Sequence, residues 1–230
     1  MQNIDMVIAV IAATGGLGLA AMSLVDAFKA VPGGGVSRIG FRHIRDVALL
    51  FDTVLERAVG AQWEPVILSH WINGRARSDQ IGIVRSLLRL GLNPDTSDQL
   101  AAIGNVDPKA LSSAAGKLVK GAAMTEAEVN LIGRVEAAVE ARLDAAFDLA
   151  EQAYRNQARI LAGVIAVVLA MIASLLMEAR PAISGLEWLD TRLLLGVLVG
   201  LLAVPIAPIA KDLVSALTVA ASAVKSTRRA

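Results

Sequence analysis

The 230-residue chain contains no cysteine, two histidines and few aromatic side chains, which make up 3% of the residues. The absence of cysteine excludes disulfides, thiolate metal sites and cysteine nucleophiles. The charges nearly cancel, with 22 basic against 21 acidic residues, so the chain as a whole has no electrostatic attraction to nucleic acid. Apolar residues are abundant instead, at 55% of the chain, which is above the ordinary range for a globular domain.

Much of this apolar content lies in three runs that contain no charged residue: Met6–Val25, Ile160–Met177 and Leu193–Ala210. Each has about 18 to 20 residues, which is the helical length that crosses a bilayer core of about 30 Å. The fold class predicted is an all-α integral membrane protein with three transmembrane helices and a helical cytoplasmic module. The predicted domains are an N-terminal anchor (1–31), the helical module (32–159) and a C-terminal transmembrane hairpin with a short tail (160–230).

The first apolar run is interpreted as an uncleaved anchor. A signal peptide begins with a basic segment, whereas this chain begins Met-Gln-Asn-Ile-Asp and its apolar core is long. Cleavage near Ala20-Ala21 is the alternative.

The distribution of basic residues predicts how the chain is threaded through the membrane. Cytoplasmic loops of membrane proteins are enriched in lysine and arginine. We therefore expect a periplasmic N-terminus, with the middle module and the C-terminus in the cytoplasm of a bacterial inner membrane. The basic residues follow the first span (Lys29, Arg38, Arg42, Arg45), precede the second (Arg155, Arg159) and follow the third (Lys225, Arg228, Arg229).

Periodicity and capping residues predict that the middle module is entirely helical. Pro32 and the glycines Gly33-Gly34-Gly35 form a hinge that leaves the membrane. Predicted helices run from a Ser37 cap to Gly60, from Ser78 to Gly91, from a capping box at Thr96-Ser97-Asp98-Gln99, and from an Asp107 cap with Pro108 to Lys120.

The last cytoplasmic helix is expected to be continuous with the second span. A capping box at Thr125-Glu126-Ala127-Glu128 opens it, and no proline follows until Pro181. The sequence therefore predicts one helix from Glu126 to Glu178, about 80 Å long at 1.5 Å per residue. Its apolar stripe consists of Val129, Ile132, Val135, Val139, Leu143, Phe147 and Tyr154.

The soluble part of this helix is acidic, and the segment before it is rich in basic residues. Two interpretations remain open: both are solvated faces, which is favoured, or the two dock against each other. The acidic residues are Glu126, Glu128, Glu136, Glu140, Asp144, Asp148 and Glu151, and the basic ones are Arg75, Arg77, Arg85, Arg89, Lys109, Lys117 and Lys120.

Aromatic residues and prolines mark candidate sites at the membrane surface. Tyr154 and Trp188 suit the aromatic belts of a bilayer, and Trp63 and Trp71 either lie at that surface or pack inside the module. Pro65 is expected to prevent a continuous helix between these tryptophans. Pro205 and Pro208 are expected to kink the end of the third span, after which 212–224 forms an interfacial helix.

The sequence predicts no enzyme, no cofactor and no metal site. His43 and His70 are far apart in sequence and lack carboxylates at ligand spacing. Asp95, Asp98 and Asp107 lack the central glycine and final glutamate of a calcium loop, so helix capping explains them better.

Polar groups within the spans are equally sparse. Thr14 and Ser174 are the notable ones, which disfavours coupled transport because transport pathways usually carry ionisable groups at membrane depth. Ala12, Gly16 and Ala20 form a small-residue ridge along the first span, which predicts close helix packing within the chain or between copies.

Three segments resemble a family of uncharacterised bacterial inner-membrane proteins with one N-terminal and two C-terminal spans around a helical cytoplasmic region. Residues 207–213, Ala-Pro-Ile-Ala-Lys-Asp-Leu, are similar to the family's exit from the last span. Phe147-Asp148 followed by Tyr154-Arg155 resembles its approach to the second span. Residues 68–74 resemble a Leu-x-x-His-Pro-x-Ile-x-Gly stretch, but lack its proline and are one residue shorter. The resemblance implies a topology and no activity.

The function expected is a non-enzymatic membrane anchor or scaffold that holds the helical module, with a protein partner or further copies, at the inner membrane. An oligomeric channel or membrane-permeabilising effector is the alternative. Expected partners are the lipid bilayer and other protein chains, with neither nucleic acid nor a small-molecule substrate.

Overall fold

A computed structural model describes residues 2–28, 35–176 and 191–227, and every regular element in these ranges is a helix. The chain divides into two compact units, one made of residues 1–29 and 156–230 and the other of residues 30–155. The helices are α1 Gln2–Phe28, α2 Ser37–Ala48, α3 Asp52–Val59, α4 Trp63–Ile72, α5 Arg77–Gly91, α6 Ser97–Gly104, α7 Pro108–Lys120, α8 Glu126–Leu176 and α9 Thr191–Thr227, with single 3-10 turns at Leu49–Phe51 and Gly60–Gln62.

The unit of residues 30–155 is a helical domain built around one hydrophobic core. Phe51, Leu100, Leu111, Leu143 and Phe147 are among its largest fully buried side chains. They come from the turn after α2 and from α6, α7 and α8, so distant parts of the sequence share this core. Most of the apolar stripe predicted along α8 faces it, from Ile132 to Phe147, but Val129 is half exposed.

Two of the predicted helix starts are confirmed at the level of atoms. The Asp107 carboxylate accepts hydrogen bonds from the backbone N–H groups of Lys109 and Ala110, directly before Pro108 at the first helical position. At the start of α8, the Thr125 N–H donates to Glu128 and the Glu128 N–H donates to Thr125 Oγ1. This reciprocal pair is the predicted capping box.

The other predicted caps, at Ser37 and at Thr96–Gln99, are wrong, because no side-chain hydrogen bond caps the start of α2 or of α6. Ser37 is the buried first residue of α2 and not its cap, and its backbone carbonyl accepts a hydrogen bond from Trp71 Nε1. Thr96 Oγ1 donates to the Gly91 carbonyl, and the Gln99 side chain accepts from Thr53 Oγ1 and donates to Asp52 Oδ1 instead of closing a capping box.

The predicted helix breaks also need correction. The helix expected from Ser37 to Gly60 is interrupted at Phe51, whose backbone leaves the helical region (φ −140°, ψ 33°) so that its ring is fully buried. Conversely, α4 runs unbroken from Trp63 to Ile72 through Pro65. Pro65 lies in the first turn, where a missing N–H leaves no intrahelical hydrogen bond unmade.

Small residues bring the apolar helices of the other unit close together. A methyl group added at Gly15 of α1 would overlap Ala210 Cβ, and one at Gly18 would overlap the carbonyl oxygen of Ala203 in α9. A methyl group at Gly200 would overlap the Val167 backbone of α8. Small side chains commonly let membrane helices approach in this way. The buried centre of this unit contains Ala21, Val25, Ala162, Ala166, Ala203 and Val204.

Three helices are long and apolar enough to cross a membrane: the segments are Ala9–Phe28, the apolar part of α8, and Leu193–Asp212. They correspond to the three runs identified in the sequence. Helix α9 continues through both Pro205 and Pro208 as far as Thr227. The predicted helix after Asp212 is therefore a continuation of α9.

Helix α8 joins the two units without a break from Glu126 to Leu176, as predicted; Glu178 lies outside the described residues. We expect Ala145→Pro to destabilise the helical domain by about 3 kcal/mol or more, because proline removes a backbone hydrogen bond and clashes with the preceding turn. Limited proteolysis of the full chain in detergent should show early cleavage near residue 145, with membrane extraction behaviour unchanged.

The matched control is Ala145→Gly, for which about 1 kcal/mol is expected since it only lowers helix propensity at an exposed position. Unchanged protease resistance in the proline variant would contradict a continuous α8.

Candidate functional site

The most highly organised polar feature of the helical domain is a row of ion pairs between α5 and α8, here called the α5–α8 seam. Arginines 77, 85 and 89 of α5 meet carboxylates 136, 140, 144 and 148 of α8, which recur every fourth residue on one helical face. The residue numbers run in opposite directions on the two helices. The seam is therefore an antiparallel helix pair with complementary charges along its length.

Arg77 binds the end of the seam through several contacts. Its Nε lies 2.7 Å from Asp144 Oδ1 and its Nη1 lies 2.6 Å from Asp148 Oδ1. The third nitrogen, Nη2, donates to the Asp144 carbonyl. The hydrogen bond to Asp148, helped by the charges of both aspartates, raises the pKa of Arg77 above its usual range despite partial burial. The guanidinium carbon also lies 5.9 Å from the centre of the Phe147 ring, a cation–π distance.

Glu136 is the central acid of the other end. Its side chain is only 9% exposed, and Arg89 Nη2 lies 2.9 Å from its Oε2 while Arg89 Nε contacts Oε1. Arg85 Nη2 lies 3.5 Å from the same carboxylate and its Nη1 lies 3.5 Å from Glu140. The Glu136 hydrogen bond and charge raise the pKa of Arg89. A buried carboxylate with this paired, bidentate geometry is a fixed element of the domain.

A separate ion pair connects α7 to the start of α8. Lys117 Nζ lies 2.7 Å from Glu128 Oε1. The hydrogen bond from Lys117, followed by that from the Thr125 backbone, lowers the pKa of Glu128. Because the pKa is lowered in the folded state, the ion pair stabilises the domain fully at pH values above the ordinary glutamate pKa. This stabilisation is lost as the pH falls through the lowered value.

These contacts decide between the two interpretations of the charged segments. The favoured one, solvated faces, is wrong for the seam, because α5 and α8 dock through their opposite charges. Both rows of charges are visible in the sequence, but their pairing is not, because 47 to 71 positions separate the partners.

The candidate interfacial residues have different environments. Trp63 is 5% exposed and packs inside the core of the domain. Trp71 is half-buried, donates to the Ser37 carbonyl and lies 6.0 Å from the Phe147 ring centre. Of the two positions considered for these tryptophans, both side chains have the one inside the module, where they pack in or against the core. Tyr154 is half-buried near the end of the domain, and Trp188 lies outside the described residues.

The predicted ridge of α1 is not the surface that packs against α9. Gly16 and Ala20 are exposed, Ala12 is half-buried, and a methyl group added at Gly16 would meet no atom within 4 Å. The contact surface instead contains Gly15 and Gly18. Sequence reasoning missed these two glycines, although the small residues Ala203, Ala207 and Ala210 of α9 were a signal for a matching partner.

Candidate groups for chemistry lie apart from one another. Within the described ranges, no three histidine, cysteine, aspartate or glutamate side chains come together as a metal site. Asp107 caps α7 and belongs to no ligand cluster with Asp95 and Asp98. His70 Nδ1 is buried and has no hydrogen-bond partner among the residues described.

The seam also borders a cavity of about 10 Å³, lined by Leu88, Arg89, Leu92, Leu100, Ile132, Val135 and Glu136. This volume holds about one water molecule. The ion pairs of the seam orient α5 on α8.

Comparison with known proteins found no matching family model, no matching curated protein and no matching solved structure. The resemblance to the three-span inner-membrane family stays a prediction.

Proposed function

We propose that this protein is a non-enzymatic membrane anchor or scaffold that holds its helical module, and through it a protein partner or further copies of the chain, at the bacterial inner membrane. The single observation that supports this proposal is that helix α8 runs without a break through both units of the chain. Its N-terminal part contributes side chains to the core of the helical domain, and its C-terminal part belongs to a unit that contains three span-length apolar segments. One helix thus serves both a folded domain and an apolar bundle.

The proposed threading follows the positive-inside rule, with a periplasmic N-terminus and a cytoplasmic module and C-terminus. A reporter fused after Ala230 should be active in the cytoplasm, and one inserted near Ser184 should be active in the periplasm. Cytoplasmic activity of the Ser184 insertion would overturn this topology.

An oligomeric channel or membrane-permeabilising effector is the second candidate. It is favoured by the exposure of Gly16 and Ala20, because these small residues are not buried against any part of the chain that the structure describes. Neither small-molecule chemistry nor nucleic-acid binding is part of either candidate.

One experiment separates the two candidates. Overproduced wild-type protein should leave the membrane potential of cells intact if it is a scaffold, and Gly16→Leu should mainly weaken the assembly of copies, measured by native mass spectrometry in detergent. Gly163→Leu is the matched control, since Gly163 lies in the apolar part of α8 with equally free space. Rapid depolarisation by wild type that Gly16→Leu abolishes and Gly163→Leu retains would replace the scaffold with the pore.

A further inference from the structure

The outer face of α2 carries three arginines, two of which form no ion pair in the described ranges. Arg38, Arg42 and Arg45 lie within about 60° of one another around the helix, at 100° per residue. All three are exposed, and Arg38 and Arg42 form no ion pair with any residue of the described ranges. Arg45 Nε lies 3.0 Å from Glu64 in a pair that is itself well exposed, at 44% and 38%.

The opposite face fixes the orientation of these arginines. Phe41, Ile44 and Ala48 are buried in the core, and a methyl group at Gly40 would lie 2.6 Å from the Ala150 carbonyl oxygen. Because α2 is packed so closely on α8, it has no freedom to roll and bury its charges. The arginine face is thus a preformed surface of the domain, unlike the arginines of α5, which are consumed by the seam.

Two further features indicate what this surface meets. The exposed apolar residues Leu49 and Leu50 follow directly at the end of α2, with 40% and 46% exposure. The sequence also limits the distance to the membrane, since α1 ends at Phe28 and α2 begins at Ser37. Nine residue steps span at most about 30 Å when fully extended. A cationic face with adjacent apolar side chains, tethered to a span by at most this length of chain, matches the charge and polarity of an anionic lipid surface.

We propose that the arginine face of α2, with Leu49 and Leu50 at its C-terminal end, binds the anionic headgroups of the membrane leaflet next to the first span. This inference rests on the proposed membrane insertion. Phosphate groups would accept hydrogen bonds from the Arg38 and Arg42 guanidinium groups, and Arg45 would exchange Glu64 for a lipid phosphate. Asp46, about 80° around the helix from Arg38, limits the face on one side.

The cysteine-free chain allows a direct test. Leu49 is replaced by a single cysteine that carries a fluorophore, and the full-length protein is placed in nanodiscs. The lipids of these nanodiscs bear a nitroxide on the headgroup, which quenches the fluorophore when the two are in contact. With phosphatidylglycerol present, quenching should be strong, and 1 M salt should abolish it because screening then acts over about 3 Å. Arg38→Gln with Arg42→Gln should remove most of this quenching, since each arginine near an anionic surface contributes about fivefold to binding.

The control is Lys109→Gln with Lys120→Gln, which removes two exposed cations of α7 and should leave quenching unchanged. Quenching that is equal in neutral and anionic nanodiscs, or equal in both double variants, would overturn the proposal. Binding of soluble polyglutamate to the arginine face without any lipid dependence would assign the face to an acidic protein and would also overturn it. Failure of the chain to enter nanodiscs would instead refute the membrane function itself.

Discussion

Alanine at Gly18 should disrupt the apolar bundle, whereas alanine at Gly16, two residues earlier in the same helix, should leave it intact. The added methyl group at Gly18 would overlap the Ala203 carbonyl oxygen, lie 2.6 Å from the Ala203 carbonyl carbon and lie 3.0 Å from Ala207 Cβ. Backbone atoms cannot rotate away as a flexible side chain does, so α1 must separate from α9. Overpacking of this kind lowers stability by about 1–3 kcal/mol, and we expect a loss at the upper end of this range because the clash is with backbone atoms.

The comparison is made with full-length protein in nanodiscs. Thermal unfolding and chemical crosslinking between cysteines placed on α1 and α9 should both show loss of packing in Gly18→Ala. Gly16→Ala should be neutral or stabilising by up to about 1 kcal/mol, because it meets no atom and lowers the entropy of the unfolded chain. Equal stability of the two variants would contradict the arrangement of α1 and α9.

The success of sequence reasoning was greatest where the signal was local. The three span-length runs and the Asp107 and Thr125 helix starts depend on neighbouring residues, and the structure has all of them. The continuity of α8 was predictable because no helix-breaking residue interrupts it. Local patterns of this kind report the secondary structure directly.

The wrong predictions of helix caps and helix ends concern residues whose hydrogen bonds or packing are determined by other elements of the fold. Thr96 and Gln99 have the composition of a capping box, but the Thr96 hydroxyl donates to the Gly91 carbonyl at the end of α5, and Gln99 accepts from Thr53, 46 positions away in α3. Phe51 interrupts a helix whose periodicity is unbroken in the sequence. Its burial in the core outweighs the loss of helical geometry over one turn.

The face of α1 that packs against α9 also depends on the partner helix. Two stripes of alanine and glycine run along this helix, and a spacing rule applies equally to either. Only the partner helix distinguishes Gly15 and Gly18, which contact α9, from Gly16, which does not. The charge rows of α5 and α8 are the polar counterpart: each row is visible in the sequence, and their pairing is not.

Reversing the charge of Arg89 should be the most damaging single substitution in the α5–α8 seam. Arg89→Glu removes the bidentate partner of Glu136 and places a second carboxylate beside a side chain that is 9% exposed. A buried charge that loses its partner costs about 3–5 kcal/mol. Arg85, at 3.5 Å, retains part of the attraction, so we expect a loss of about 3 kcal/mol.

The measurement is the midpoint of chemical unfolding of the full chain in nanodiscs, followed by the fluorescence of Trp63 and Trp71, which both pack in this domain. Arg134→Glu is the matched control, because it makes the same charge change at an exposed α8 residue without an ion pair in the described ranges; a change within about 0.5 kcal/mol is expected there. Combining Arg89→Glu with Glu136→Arg should restore much of the stability by re-forming the pair with its charges exchanged. If Arg89→Glu were as mild as Arg134→Glu, the seam would be a solvated surface after all, and α5 would be held on α8 by its apolar side chains alone.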